Sequence, residues 1–294
     1  MLDKKHIKYF KKILPADFVL SEEGDCWAYG YDNSKMHVMP ECVLFADSKA
    51  QIKDIVQYCF ENTIPITTRG RGTGNTGGSV PIENSVVLSL EKMNKIIDID
   101  ISNRLAVVQP GVINKTLQDE LQKENFFWGP DPSSQDYSTI GGNIANNSAG
   151  PRAIKYGTPR DNILGLEFIS GTGEIHKTGV KTSKGVVGLD LTRLFVGSEG
   201  VLGILSEATL KILPLNNSVK TFEITFETLK SASDMIIMLM TQPITPYKLE
   251  FVDEQSVKLI NSIKKNHFEI NTKSAVLLEI DGDVDFIDIQ SKKL

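Results

Sequence analysis

The stretch most able to do chemistry runs Arg69-Gly70-Arg71-Gly72-Thr73-Gly74-Asn75-Thr76-Gly77-Gly78, where five of ten residues are glycine. Glycine adopts positive φ without strain and lets backbone N–H groups approach a ligand with no Cβ in the way. Successive inward N–H groups form a concavity suited to a phosphate or pyrophosphate. Gly72, Gly74 and Gly77 also fit GxGxxG, but that fingerprint needs a helix directly behind it to carry the pyrophosphate on its N-terminus. Here Ser79-Val80-Pro81-Ile82 leads instead to Val86-Val87-Leu88, which reads as a strand. The context is strand–loop–strand, so the loop alone would hold the phosphate and a nicotinamide-binding Rossmann domain is not expected. A merely flexible surface loop fits less well with five glycines placed straight behind the apolar run Ile64 to Thr68.

Two further clusters share this small, polar character. Residues 129–150 combine Gly-Pro-Asp-Pro-Ser-Ser, Thr139-Ile140-Gly141-Gly142-Asn143 and Asn146-Asn147-Ser148-Ala149-Gly150, with Asp131 and Asp136 as the only charges. Such a wall can hydrogen-bond a polar heteroaromatic ring lying against backbone. In the third, Val196-Gly197-Ser198-Glu199-Gly200-Val201-Leu202-Gly203-Ile204, one acid stands among small residues. Alone, the second reads equally as a turn-rich loop and Glu199 as a solvated turn residue. Together, the three loops call for a large ligand bearing both a diphosphate and a ring system.

Other chemistries find no support. His6, His37, His176 and His267 are scattered without metal-ligand spacing, and GxSxG and GxxxxGK[ST] are absent. Cys26, Cys42 and Cys59 are odd in number and widely spaced, as expected of buried thiols in a reducing, cytoplasmic compartment. The 294 residues are 40% hydrophobic and 23% charged with a net charge of −5, ordinary for a globular chain of about two domains. Without a basic stripe, no nucleic-acid partner is expected. The densest apolar run, Met235 to Met240, is far short of the roughly 18 residues that span a bilayer. The basic, amphipathic N-terminus lacks the apolar core of a signal peptide.

Elements that must position the loops follow from the apolar pattern. Val43 to Phe45, Ile64 to Thr68, Ser85 to Leu90, Leu105 to Val108, Ile163 to Ser170, Glu174 to His176 and Gly203 to Leu213 read as strands. Ile52, Ile55, Val56, Cys59 and Phe60 recur at helical spacing behind a Ser48/Gln51 capping box. Asn114 caps a short helix bearing Leu117 and Leu121. Pro214 and Asn216-Asn217-Ser218 mark a boundary. Beyond it, strands at 222–226, 247–252 and 275–280 alternate with helices at 231–240 and after Asp253, ahead of a polar tail. The expected domains are an N-terminal helical segment (1–35), a mixed α/β domain (36–213) and a partial α+β unit (214–294).

Four ordered blocks, PITTRGRGTGNTGG, GPDPSSQDYSTIGGNIANNSAG, KYGTPRDNILGLEF and LFVGSEGVLGILSEATLKILP, followed by KLEFVDEQSV, carry a resemblance. They resemble the flavin-binding blocks of the glycolate oxidase flavoprotein subunit and D-lactate dehydrogenase family, in the vanillyl-alcohol oxidase/p-cresol methylhydroxylase superfamily. The resemblance implies an α+β fold: a two-subdomain FAD-binding domain of the p-cresol methylhydroxylase type, then a partial cap domain. It further implies FAD with Arg69, Gly70, Arg71, Gly72, Thr73, Gly74, Gly77 and Gly78 on the pyrophosphate. Pro132, Ser134, Thr139, Gly142, Asn143, Ala149 and Gly150 would lie along the flavin or its ribityl chain. Glu199, Gly200 and Ile204 would close the far side. Relatives that tether FAD often use a His in the first glycine loop; none stands between His37 and His176, so the flavin is expected to be non-covalent.

Members of this family carry Tyr where Leu189 stands and Thr where Val201 stands; both changes lose a hydroxyl. They also continue through a block resembling HxGDGNxH and a Glu-His-Gly segment that supply metal, carboxylate or base functions. Neither occurs in these 294 residues, so no catalytic residue is assigned and the chain is expected to be C-terminally incomplete. One reading is a 2-hydroxyacid (glycolate or D-lactate) dehydrogenase that is truncated, or split and completed by a second polypeptide, and inactive alone. A second is a non-catalytic FAD-binding subunit of a multi-protein oxidase. A third is a superfamily enzyme of other chemistry, such as the nicotinamide-linked reductase of cell-wall precursor synthesis, whose blocks fit less well.

Overall fold

The computed structural model describes residues 2–182, 184–265 and 267–293; Met1 and Leu294, the ends of the expected N-terminal segment and C-terminal tail, lie outside the described residues. The chain forms two compact units, Met1–Trp128 with Pro132–Ser148 and Thr158–Leu213, and Gly129–Asp131 with Ala149–Gly157 and Pro214–Leu294.

The first unit holds two sheets. In one, β1 (Val19–Leu20), β2 (Cys42–Phe45), β3 (Ile66–Arg69) and β4 (Val86–Ser89) lie in the order β1-β2-β4-β3. β2 and β4 are buried along their whole length, as strands covered on both faces are. Helix α1 (Lys4–Ile13), the short α2 (Glu23–Trp27) and α3 (Lys49–Glu61) accompany this sheet, and α3 packs Ile52, Ile55, Val56 and Cys59 into its core. Ser48 stands at the N-cap of α3 without a side-chain bond; Gln51 Oε1 instead accepts from Asp47 N at 2.9 Å, so the expected capping box is not formed. The N-terminal segment is helical only in part, because β1 leaves it to pair antiparallel with β2.

β3 and β4 run side by side and parallel. Parallel neighbours are normally joined through a helix, yet residues 70–85 make this crossing with no helix at all. The glycine loop is therefore itself the crossover, at the end of β3.

The second sheet contains β5 (Ile96–Asp100), β6 (Leu105–Val108), β7 (Phe126–Trp128), β8 (Ile163–Ile169), β9 (Ile175–Gly179) and β10 (Ile204–Pro214). Its order is β5-β6-β10-β8-β9, with β7 also on β10. The four ladders along that path are antiparallel. Helix α4 (Asn114–Lys123) adds Leu117 and Leu121 to a core containing Trp128, Ile140, Ile144 and Leu210. Helix α5 (Ile140–Ala145) begins at Thr139, whose hydroxyl accepts from Gly142 N at 3.2 Å.

In the second unit β11 (Ser218–Phe226), β13 (Ser274–Gly282) and β12 (Lys248–Val252) form an antiparallel sheet with β13 central. Helices α8 (Leu229–Met240) and α9 (Glu254–Ile263) follow β11 and β12; α7 (Leu191–Phe195) belongs to the first unit. Asp253 caps α9 by accepting from Ser256 N at 2.7 Å. The expected polar tail is in fact a helix, α10 (Val284–Ser291), because Asp283 caps it and Ile287 gives it a buried contact. The segment containing α6 (Ala153–Tyr156) is fixed within this unit by Asp281, which pairs with Lys155 Nζ and accepts from Tyr156 Oη and Asn216 Nδ2.

Candidate functional site

In the first unit the three loops meet. A Cβ placed on Gly70 would run into the Thr139 side chain; one on Gly78 would come 2.9 Å from Glu199 Oε2 and 3.8 Å from Asn146 Oδ1; one on Gly200 would reach Thr68 at 4.0 Å. Gly197 N donates to Ile144 O at 3.0 Å and Glu199 N to Ala145 O at 2.9 Å, tying the third loop to the end of α5. Glu199 is held there at φ 51. A left-handed conformation costs a residue with a Cβ roughly 1–2 kcal/mol, and such strain survives only where surroundings over-determine it, typically at functional sites.

Within the glycine loop, the N–H groups of Gly72, Thr73, Gly74, Asn75, Thr76 and Gly78 find no acceptor among the described residues. These donors, half-exposed at Gly72 to Gly74 and exposed at Asn75, Thr76 and Gly78, are what a pyrophosphate would satisfy, since unpaired backbone N–H groups seek acceptors. Space is also present: a Cβ on Gly74 would meet only Asp32 Oδ2, at 3.8 Å. The residues present thus fit a dinucleotide diphosphate.

The loop's cations play another part. Arg69 is buried, its guanidinium packed against Gly72 and donating to Tyr31 O at 2.6 Å and Ala28 O at 3.5 Å. Burial lowers its pKa, opposed by Tyr29, Asp32 and Glu91. Arg71 is paired with Glu91 at 3.5 Å. Both guanidinium groups are thus engaged within the protein.

Thr139 and Asn143 are both buried. Asn143 donates to Ser138 Oγ at 3.1 Å and accepts from Asn114 Nδ2 at 2.9 Å, so its side chain braces the loop from within. Pro132 and Ser134 lie in the preceding turn, where Gln135 N bonds Pro132 O at 2.8 Å and Ser138 N bonds Ser134 O at 2.7 Å. Ile204 opens β10, opposite Ile169 of β8. Ala149 and Gly150 fall in the second unit. There Gly150 abuts the Asp131 backbone, and Arg152 N and Nε meet the Asp131 carboxylate at 3.0 and 3.2 Å. Burial pushes the Asp131 pKa up, against the lowering effect of Arg152.

Sequence reasoning missed a contributor to the glycine loop. Asp32 and Asn33 contact it directly, with Gly77 N donating to Asp32 Oδ2 at 3.1 Å and Asn33 N to Gly74 O at 2.8 Å. The visible signal was Asp32-Asn33-Ser34, a turn-forming run that nothing in the sequence connects to residues some 40 positions away. Asn146, whose Nδ2 donates to Gly142 O at 3.0 Å, is the other omission.

The four histidines stay outside these loops. His6 bonds Tyr58 Oη at 2.9 Å, His37 the carbonyl of Trp27 at 3.2 Å and His267 Glu223 at 3.0 Å, while His176 pairs with Glu174 at 3.6 Å. All three cysteines are buried free thiols, with burial pushing Cys59 up to about 12. Among the described residues, no His/Cys/Asp/Glu group is arranged to hold a metal ion, and no helix is long and apolar enough to cross a membrane.

Similarity to known proteins extends over most of the chain. Residues 40–179 match the FAD binding domain family. The chain is 39% identical over 267 residues to glycolate oxidase subunit GlcD of Bacillus subtilis, covering 90% of this chain and 57% of that protein. It is 36% identical over 253 residues to D-lactate dehydrogenase of Anaerostipes hadrus, covering 85% and 53%. The chain thus spans little more than half the length of these relatives. Among solved structures, alkyldihydroxyacetonephosphate synthase superposes with a TM-score of 0.86 at 20% identity, covering 100% of this chain and 58% of that one. Substrate-bound p-cresol methylhydroxylase gives 0.82 at 20% identity, covering 98% and 62%. Both share the fold.

Proposed function

We propose, given that the chain carries the FAD-binding domain of the glycolate oxidase and D-lactate dehydrogenase flavoprotein family and that FAD is its cofactor, that it holds FAD non-covalently and serves oxidation of a small 2-hydroxy acid. When bound, FAD supplies the hydride acceptor, its N5, for the carbinol carbon. The observation that carries the reading is the meeting of three loops around unpaired backbone donors at Gly72 to Thr76 and Gly78. Those donors bind the diphosphate. The Thr139–Asn143 segment, braced by Ser138 and Asn114, gives a rigid polar wall for the flavin side, and Glu199 and Gly200 close against Gly78 and Thr68. Non-covalent binding is supported by the placement of all four histidines outside these loops.

Oxidation also requires a base for the hydroxyl proton and a cation for the substrate carboxylate. No residue of this chain is assigned to either role; a partner subunit is proposed in keeping with a relative that is itself called a subunit. Buried, unpaired thiols support action in a reducing, cytoplasmic setting. The same histidine placement favours a second reading, a non-catalytic FAD-binding subunit of an oxidase complex. The test is anaerobic addition of glycolate and of D-lactate to the FAD-loaded chain with its co-purifying partners, followed by absorption. Bleached flavin bands support 2-hydroxyacid oxidation. Persistent bands on fully loaded protein favour the non-catalytic reading, and a chain that takes up no flavin overturns both.

A further inference from the structure

The segment from Ala28 to Val38 lies ahead of the matched FAD-binding domain, which begins at residue 40, yet it touches the glycine loop at several points. A bridge between Tyr31 and His37 closes it into a tight turn. At its tip Asp32 is buried, with 3% of its surface exposed. One carboxylate oxygen accepts from Ser34 N at 2.9 Å and the other from Gly77 N at 3.1 Å. Next to it, Asn33 N donates to Gly74 O at 2.8 Å and Asn33 Nδ2 to Thr73 O at 3.3 Å. Met36 Cε lies against Gly77, and the carbonyls of Ala28 and Tyr31 take up the Arg69 guanidinium.

These bonds decide where the loop's free donors point. In a planar trans peptide, C=O and the following N–H point in opposite directions. Thr73 C=O and Gly74 C=O both face Asn33, so the N–H groups of Gly74 and Asn75 are directed away from the 28–38 segment. At Gly77 the order is reversed: the N–H faces Asp32. The segment thus takes one donor for itself and turns two, those of Gly74 and Asn75, outward, in a loop that has no ladder or helix to fix its peptide planes.

Resting on the FAD-binding reading above, we infer that Asp32 is a positioning residue for the cofactor site: its carboxylate anchors Gly77 and the turn that carries Asn33, and so presents the Gly74 and Asn75 backbone donors to the diphosphate of FAD. Asp32 does not contact the cofactor itself. Its effect is on the shape of the loop before binding.

The experiment compares wild type, Asp32→Ala and Asp32→Asn by FAD titration of the flavin-stripped chain and by amide hydrogen exchange over residues 70–80 without FAD. Asparagine keeps an oxygen that can accept from Gly77 N; alanine does not. Losing this bond to a charged acceptor is expected to weaken FAD binding by about tenfold or more in Asp32→Ala. Faster exchange at Gly77 should accompany it, with both properties restored toward wild type in Asp32→Asn. Wild-type affinity and exchange in Asp32→Ala would overturn the inference. Equal weakening by Asn and Ala would also overturn it, because charge rather than the acceptor would then be responsible. Should Asp32→Ala not fold, Asn33→Ala, which removes only the side-chain bond to Thr73 O, tests the same turn through FAD affinity: weakened binding supports the inference and wild-type affinity overturns it. A wild-type chain that binds no FAD would defeat the cofactor reading, while the exchange data would still decide whether Asp32 holds the loop.

Discussion

At the scale of single residues, the glycine loop separates folding from binding. Gly74 has ordinary φ and open space around its missing Cβ, with Asp32 Oδ2 3.8 Å away as the only neighbour. Gly74→Val is therefore expected to melt close to wild type while losing flavin, because its branched side chain would occupy the space in front of unpaired donors. Retained one-to-one flavin in this variant would remove the loop from the site. Gly72, by contrast, sits at φ 64 against the Arg69 guanidinium, so its substitution would disturb the fold as well. A second residue-level effect is acid sensitivity. Burial raises the pKa of Glu167, but bonds from Ser206, Lys49 and Lys177 outweigh it and hold the carboxyl below the ordinary 4.5. A lowered carboxylate pKa stabilises the fold above the unfolded-state value, and that stabilisation is lost as pH falls through the folded-state value. Melting temperature should accordingly drop below about pH 4.5, more shallowly in Glu167→Gln; identical profiles for the two proteins would exclude Glu167 as a source. The exposed ends of both lysines keep this effect modest.

At the scale of elements, α5 shows what the sequence could and could not convey. Ile-Gly-Gly-Asn-Ile-Ala is a poor helix by propensity, since each interior glycine costs about 1 kcal/mol. It forms because Thr139 caps it, Ile140 and Ile144 are buried, and Asn143 is bonded to Ser138 and Asn114. Those partners lie up to 29 residues away, beyond the reach of any local pattern. Asn143→Ala should lower stability by about 1–3 kcal/mol, the penalty for leaving buried partners unsatisfied, and weaken FAD binding with it. A variant with wild-type melting and affinity would refute the bracing role. The strands β2 and β4 were legible because Cys-Val-Leu-Phe and Val-Val-Leu-Ser are buried along their whole length. The α9 cap was legible because Asp253 bonds three residues ahead. The Ser48/Gln51 box failed because Gln51 found Asp47 N instead, and α10 was missed because Ile287, the one buried side chain among those described in it, gives no periodicity. The hold of Asp32 on Gly77 spans 45 residues, and no spacing rule could expose it.

At the scale of the whole molecule, the second unit presents apolar surface of its own. Ile237 and Met238 on α8 are 63% and 60% exposed, and Leu259 and Ile263 on α9 are 61% and 75% exposed. In its three-stranded sheet, β11 and β12 are edge strands paired on one side. Exposed apolar patches and open edges both favour association. The isolated chain is expected to self-associate as its concentration rises, and Ile237→Lys with Ile263→Lys should reduce this without changing flavin content. Light scattering after size exclusion that finds a monodisperse monomer at every concentration would contradict the expectation.

The central claim, that the converging loops of the first unit form a non-covalent FAD site, is tested most directly by equilibrium titration of the flavin-stripped chain with FAD, followed by quenching of flavin fluorescence. The account predicts saturation at one FAD per chain, with the flavin released intact on denaturation. Absence of saturable binding would contradict it, as would flavin that stays attached to the denatured polypeptide.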